Sequence, residues 1–164
     1  MRNILKLPLL ITAVVLADAA SASTTTDSMA VTATVTASCH IAAGSALAFG
    51  SYDASTNTNV DGTATISTTC TNTTTYDIGL DAGLKSGATV STREMNDGGT
   101  NYLPYSLYSD AGRTTNWGDT VSTDTVAKTG TGTAQTTTVY GRIPANTSAV
   151  PGSYTDTVTI TVTY

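Results

Sequence analysis

Residues 154–164 read Tyr-Thr-Asp-Thr-Val-Thr-Ile-Thr-Val-Thr-Tyr. Tyr154, Asp156, Val158, Ile160, Val162 and Tyr164 alternate there with a threonine at every odd position from Thr155 to Thr163. An extended chain turns successive side chains to opposite faces, so this alternation predicts a long, half-buried strand. A second run of the same kind lies near the other end. It places Met29, Val31, Ala33, Val35 and Ala37 on one face and Ala30, Thr32, Thr34, Thr36 and Ser38 on the other. Between them come shorter candidates at Ala46–Gly50, Thr63–Cys70, Thr75–Asp81, Tyr102–Tyr108 and Thr136–Ile143. Clusters such as Asn96-Asp97-Gly98-Gly99 read as turns between them. Pro104 restricts its strand to an edge or a bulge, because proline cannot donate to a ladder. No helical period persists beyond the first two dozen residues, and seven or eight strands predict an all-β sandwich or barrel.

Composition points the same way. Thr occurs 37 times in 164 residues, while charged residues make up only 12%. Threonine is stiff at its first side-chain torsion and suits strands better than helices. The net charge is −5 with no basic cluster, so nucleic acid and anionic membranes are poor partners. One His, two Cys and a single Glu, Glu94, leave little material for a protein-built metal site or a nucleophile–base pair. No acid pair or triad is identifiable, so no catalytic residue, cofactor, metal or small-molecule substrate is expected.

Arg2 and Lys6 precede an apolar run from Leu7 to Ala17 that ends in Ala20-Ser21-Ala22. This order of basic, apolar and small residues predicts a secretory signal peptide over residues 1–22. The apolar run, at about 11 residues, is too short for a membrane span. Cys39 and Cys70 are the only cysteines, and in an exported chain they are expected to form a disulfide.

Several blocks then look familiar in their order. The leader strand ends at Cys39 and is followed by Leu47-Ala48-Phe49-Gly50-Ser51-Tyr52-Asp53 and Cys70-Thr71. Further on come Tyr105-Ser106-Leu107-Tyr108, Trp117-Gly118-Asp119, Tyr140-Gly141-Arg142-Ile143-Pro144 and Pro151-Gly152-Ser153-Tyr154-Thr155-Asp156. Together they resemble the spore coat protein U family, which includes subunits of archaic chaperone–usher pili. The resemblance implies an incomplete immunoglobulin-like β-sandwich that lacks its last strand. A periplasmic chaperone and then, at the outer-membrane usher, the next subunit would supply that strand. Residues 23–38 are then the N-terminal donor segment and 39–164 the pilin domain. Met29, Val31, Ala33, Val35 and Ala37 would be the donor side chains, and Val158, Ile160 and Val162 would line the acceptor groove. Strand addition of this kind takes its affinity from backbone hydrogen bonds and its specificity from pockets for alternate side chains.

The expected function is structural: a secreted subunit that polymerises with copies of itself into a surface fibre for adhesion and biofilm formation. A spore or cell coat protein assembled without an usher is the first rival, and a monomeric carbohydrate-binding module the second. Several local features have plainer readings. Trp117 is expected to pack over a sheet edge rather than form a ligand platform. The tyrosines suit cross-strand pairs with wet hydroxyls. Asp61-Gly62 and Asn96–Gly99 lack the ligand pattern of calcium loops and read as turns.

Overall fold

Strand-forming alternation needs a neighbour on at least one edge, and the topology shows which runs have one. The computed structural model describes residues 21–164, so the expected signal peptide lies almost wholly outside the described residues. The chain divides into two units with their boundary between Thr34 and Val35. In the first, residues 21–34 contain neither helix nor strand and are exposed throughout.

The second unit holds nine strands: β1 (Cys39–Ala43), β2 (Val60–Cys70), β3 (Thr75–Leu80), β4 (Glu94–Asn96), β5 (Tyr102–Pro104), β6 (Ser106–Tyr108), β7 (Val126–Thr129), β8 (Gln135–Ile143) and β9 (Ile160–Thr163). One sheet runs β1-β2-β8-β6, the second β7-β3-β9, and β4 and β5 form a ribbon. All pairings are antiparallel. No helix occurs among the described residues. The fold is all-β with two open sheets, an immunoglobulin-like sandwich.

The core follows the alternation. Ala64, Ile66, Thr68 and Cys70 of β2 and Val139 and Ile143 of β8 meet Tyr76, Ile78 and Leu80 of β3. The Thr68 hydroxyl lies 2.8 Å from the Tyr76 hydroxyl, so two buried polar groups satisfy each other. Trp117 is fully buried, and its Nε1 donates to the Ile78 carbonyl at 2.8 Å. Arg93 is also fully buried. Its guanidinium donates to the carbonyls of Asp81 (2.7 Å), Val90 (2.6 Å), Leu80 (2.7 Å) and Trp117 (2.8 Å), tying the end of β3 and the loop after it to the loop between β6 and β7. Burial pulls its pKa below the usual value, against the pull of Tyr105 and nearby aspartates.

The disulfide forms as expected. Cys39 and Cys70 face each other in register at one end of the β1–β2 ladder and are covalently joined. One residue earlier, Ser38 accepts from the Thr71 amide at 2.9 Å and donates its own amide to Thr71 Oγ1 at 3.1 Å.

Four expectations change. The half-buried strand expected at residues 29–38 does not form: these residues are exposed and outside any strand, and the first strand begins at Cys39. Asp61-Gly62 is no turn: both residues lie inside β2, opposite Arg142 and Gly141 of β8. Asp61 belongs in that ladder because Arg142 binds its carboxylate with two hydrogen bonds of 2.7 and 2.9 Å. The run Tyr102–Tyr108 divides at Tyr105, whose amide bonds the Arg93 carbonyl at 3.0 Å; β5 then pairs with β4 and β6 with β8. Pro104 sits opposite Glu94 in the two-stranded ribbon, where both strands are edges. Finally, Ala46–Gly50 and residues 155–159 form no ladder with a strand partner, although their side chains alternate.

Candidate functional site: an open groove between the sheets

The unpaired segments border one groove. Along residues 154–162 every even residue is half-buried and every odd residue exposed, as the alternation predicts. The odd residues use their backbone on one side only. Thr155 exchanges two bonds of 2.9 Å with Asn96, Thr159 accepts from Asp81 at 3.1 Å, and β9 continues on β3. On the opposite edge, the amides and carbonyls of Tyr154, Asp156 and Val158 bond no other described segment. Ala46–Gly50 faces them without ladder partners of its own. A strand's worth of donors and acceptors is open on each bank, in residues that are half-buried or exposed.

Two glycines set the floor of the groove. Gly62 and Gly141 are paired in register across β2 and β8. A Cβ on Gly141 would stand 2.9 Å from both Leu47 and Phe49, and one on Gly62 3.1 Å from Leu47. Their missing side chains let Leu47 and Phe49 lie down on the sheet. Ala43, Leu47, Phe49, Ile66, Val158 and Ile160 are among the residues that then enclose about 410 Å³ of largely apolar space. Beyond Phe49 and Tyr154 the depression widens to a second volume of about 810 Å³ beside Met95 and Tyr52. The Tyr52 hydroxyl closes that end, accepting from the Thr147 amide at 3.0 Å and lying 3.1 Å from the Thr147 carbonyl.

Asp156 is the only charged residue lining the narrower part. Its carboxylate accepts from the Tyr105 hydroxyl at 2.6 Å and from the Leu84 amide at 2.8 Å. Burial, and then the hydrogen bond to Asp156, push the Tyr105 phenol far above its ordinary value of 10.0.

Of the residues singled out from the sequence, Val158 and Ile160 line the groove. Val162 lies one inward position further along, half-buried opposite Ile78. Met29, Val31 and Val35 are exposed to 85%, 84% and 82%, the most exposed large apolar side chains described. Ala33 and Ala37 are exposed as well, and no residue from 21 to 38 belongs to a strand. Leu47, Phe49, Tyr105 and Asp156 escaped the sequence reading as groove residues. For Asp156 the signal was present, since it occupies an inward position of an otherwise apolar set. Among the described residues no group of three or more His, Cys, Asp or Glu is placed to hold a metal.

Comparison with known proteins agrees with this architecture. Residues 25–161 match the model of the Spore Coat Protein U domain family. Protein U of Myxococcus xanthus is 36% identical over 158 residues, with 88% of each chain covered. The crystal structure of the CsuC–CsuE chaperone–tip adhesion subunit pre-assembly complex, from archaic chaperone–usher Csu pili of Acinetobacter baumannii, contains a similar fold. The TM-score is 0.55 at 23% identity over 80% of this chain, which spans 40% of the length of the chain it matches. A pilin-like sandwich with an open groove, matched by its family model over most of its length, makes this chain a member of the Spore Coat Protein U domain family.

Proposed function

We propose that the protein is a structural subunit that assembles by donor-strand exchange, the segment Met29–Ala37 of one copy filling the groove of the next. One observation carries this reading. Three alternating apolar segments, 29–37, 46–50 and 154–159, all lack a ladder partner, and two of them form the banks of a groove. The third is a row of exposed apolar side chains at the same period. Insertion would satisfy both banks with backbone hydrogen bonds and bury that row, which is the physics of strand addition. Left open, the same edges invite indiscriminate pairing, so a chaperone in the periplasm that occupies the groove until delivery to an outer-membrane usher is part of the proposal. The product is an extracellular fibre suited to attachment and biofilm formation. The match to the Spore Coat Protein U domain supports a second reading, a spore or cell coat protein assembled without an usher.

Hydrogen exchange tests the proposal. In the separated subunit the amides of Tyr154, Asp156, Val158 and residues 29–37 exchange fast. In the assembled form both sets become protected together. Fast exchange of either set within the assembly refutes strand donation. Dependence of assembly on an usher separates pilus from coat.

A further inference from the structure

We infer that Asp156 is the register stop of the groove, a specificity-determining residue that admits Ala33 of the incoming segment and excludes its valines. The inference rests on the donor-strand reading above and names the residue pair that fixes its alignment. The rest of the groove is uncharged and largely apolar, so hydrophobic burial alone discriminates poorly between alignments two residues apart, which keep the same side chains facing in. Something must distinguish one alignment from the next.

Asp156 can do so because it cannot yield. On one side the Tyr105 hydroxyl holds Oδ2 at 2.6 Å, while Oδ1 accepts from the Leu84 amide at 2.8 Å and from the Thr157 amide at 2.8 Å. Behind it stands Gly83, at a φ of +81°, where any Cβ would collide with the carboxylate. The carboxylate is thus wedged between a glycine that leaves just enough room and three donors that fix both oxygens. A side chain arriving opposite it must be small, since it can neither push the carboxylate back nor cover it with hydrocarbon without loss of its remaining solvation.

The donor row has a fitting pattern. Its inward residues run Met29, Val31, Ala33, Val35, Ala37. With Ala33 opposite Asp156, Val31 and Val35 fall at the flanking inward positions, Tyr154 and Val158, whichever way the segment runs. A slip of two residues puts Val31 or Val35 onto the carboxylate. Ala37 opposite Asp156 would place Val31 level with Val162 or with Val150, beyond the narrow part of the groove in either direction.

The test uses the chain from Ser23 onward and synthetic peptides of residues 24–38, with competition binding as the readout. On the unaltered chain the Ala33→Val peptide binds about tenfold or more weakly than the unaltered peptide, the scale expected of overpacking against an immobile neighbour. The Ala37→Val peptide changes little. On an Asp156→Ser chain, which shortens the side chain and keeps an oxygen for hydrogen bonding, the Ala33→Val penalty disappears. Register is also read with Asp156 intact: a Val158→Cys chain cross-links to a Val31→Cys or Val35→Cys peptide and not to Ala33→Cys. Cross-linking through Ala33→Cys, or an Ala33→Val peptide that binds the unaltered chain normally, overturns the register stop alone. Failure of the unaltered peptide to bind at all overturns the donor reading and the inference with it.

Discussion

Changing both Val31 and Val35 to Asp separates a donor strand from an ordinary first strand. The two valines are 84% and 82% exposed in the isolated chain. Substitution of such exposed residues normally changes stability by no more than about 0.5 kcal/mol, so the melting temperature of the subunit should hardly move. Inserted into a neighbour, each valine would contribute about 1.5–3 kcal/mol by burial. Losing both removes about 3–6 kcal/mol from each junction, a weakening of roughly 10²- to 10⁴-fold. Two carboxylates facing an apolar groove lower it further. Unheated electrophoresis and sedimentation should therefore show a folded subunit and no polymer ladder. Thr32→Ser with Thr34→Ser, on the opposite face, should leave the ladder intact. A double Asp variant that fails to fold would refute the reasoning, because the segment would then be a core strand of its own subunit. Normal polymer from that variant would refute it equally.

The Cys39→Ser, Cys70→Ser variant should lose about 3–4 kcal/mol, the chain-entropy value for a loop of about 30 residues, seen as a lower urea midpoint. Arg93→Met should cost more than about 3 kcal/mol, since four carbonyls lose their donors in the core, and should show as poor accumulation of folded chain. Gly141→Val should drive Leu47 and Phe49 off the floor; thermal melting should fall by an amount worth about 1–3 kcal/mol, and assembly should fall with it. Acid should destabilise the fold. The carboxyl of Asp81 is desolvated by burial, yet bonds from Thr159 and Gly83 outweigh this, and Arg142 acts likewise on Asp61. Both pKa values lie below the ordinary 3.8. The folded state therefore binds protons less readily than the unfolded one, and its urea midpoint should hold above 3.8 and drop below it. An unchanged midpoint at about pH 3 would contradict that sign.

Most strands were legible because alternation reports which side chains face a core. The runs Thr63–Cys70, Thr75–Asp81 and Thr136–Ile143 became β2, β3 and β8 with small changes at their ends. Alternation does not report whether the backbone edge has a neighbour, so Ala46–Gly50 and residues 155–159 read as ordinary strands. They lack partners along the edge that faces the groove, and that difference is the site. The short β4 and β7 were missed because three or four residues carry too little pattern. Arg93 was missed for another reason. Nothing local marks an arginine that will be buried, since its partners are carbonyls brought together from Leu80, Asp81, Val90 and Trp117. Val158, Ile160 and Val162 were named from the family resemblance, whereas the glycine floor at Gly62 and Gly141 depends on a register that only the folded sheet reveals.

The knot at Ser38, Cys39, Thr71 and Cys70 has a mechanical meaning. Tension applied to the chain through residue 37 reaches the domain at this point. Peeling β1 from β2 would have to begin at Cys39, and the covalent bond to Cys70 blocks that first step. The load passes instead into β2, an 11-residue strand held from Val60 to Thr68 by β8 on its far side. Force along β2 shears that ladder, so its hydrogen bonds must fail together and not one by one. With the disulfide reduced, the same pull unzips β1 from its end, and a thiol reductant turns a stiff link into a weak one.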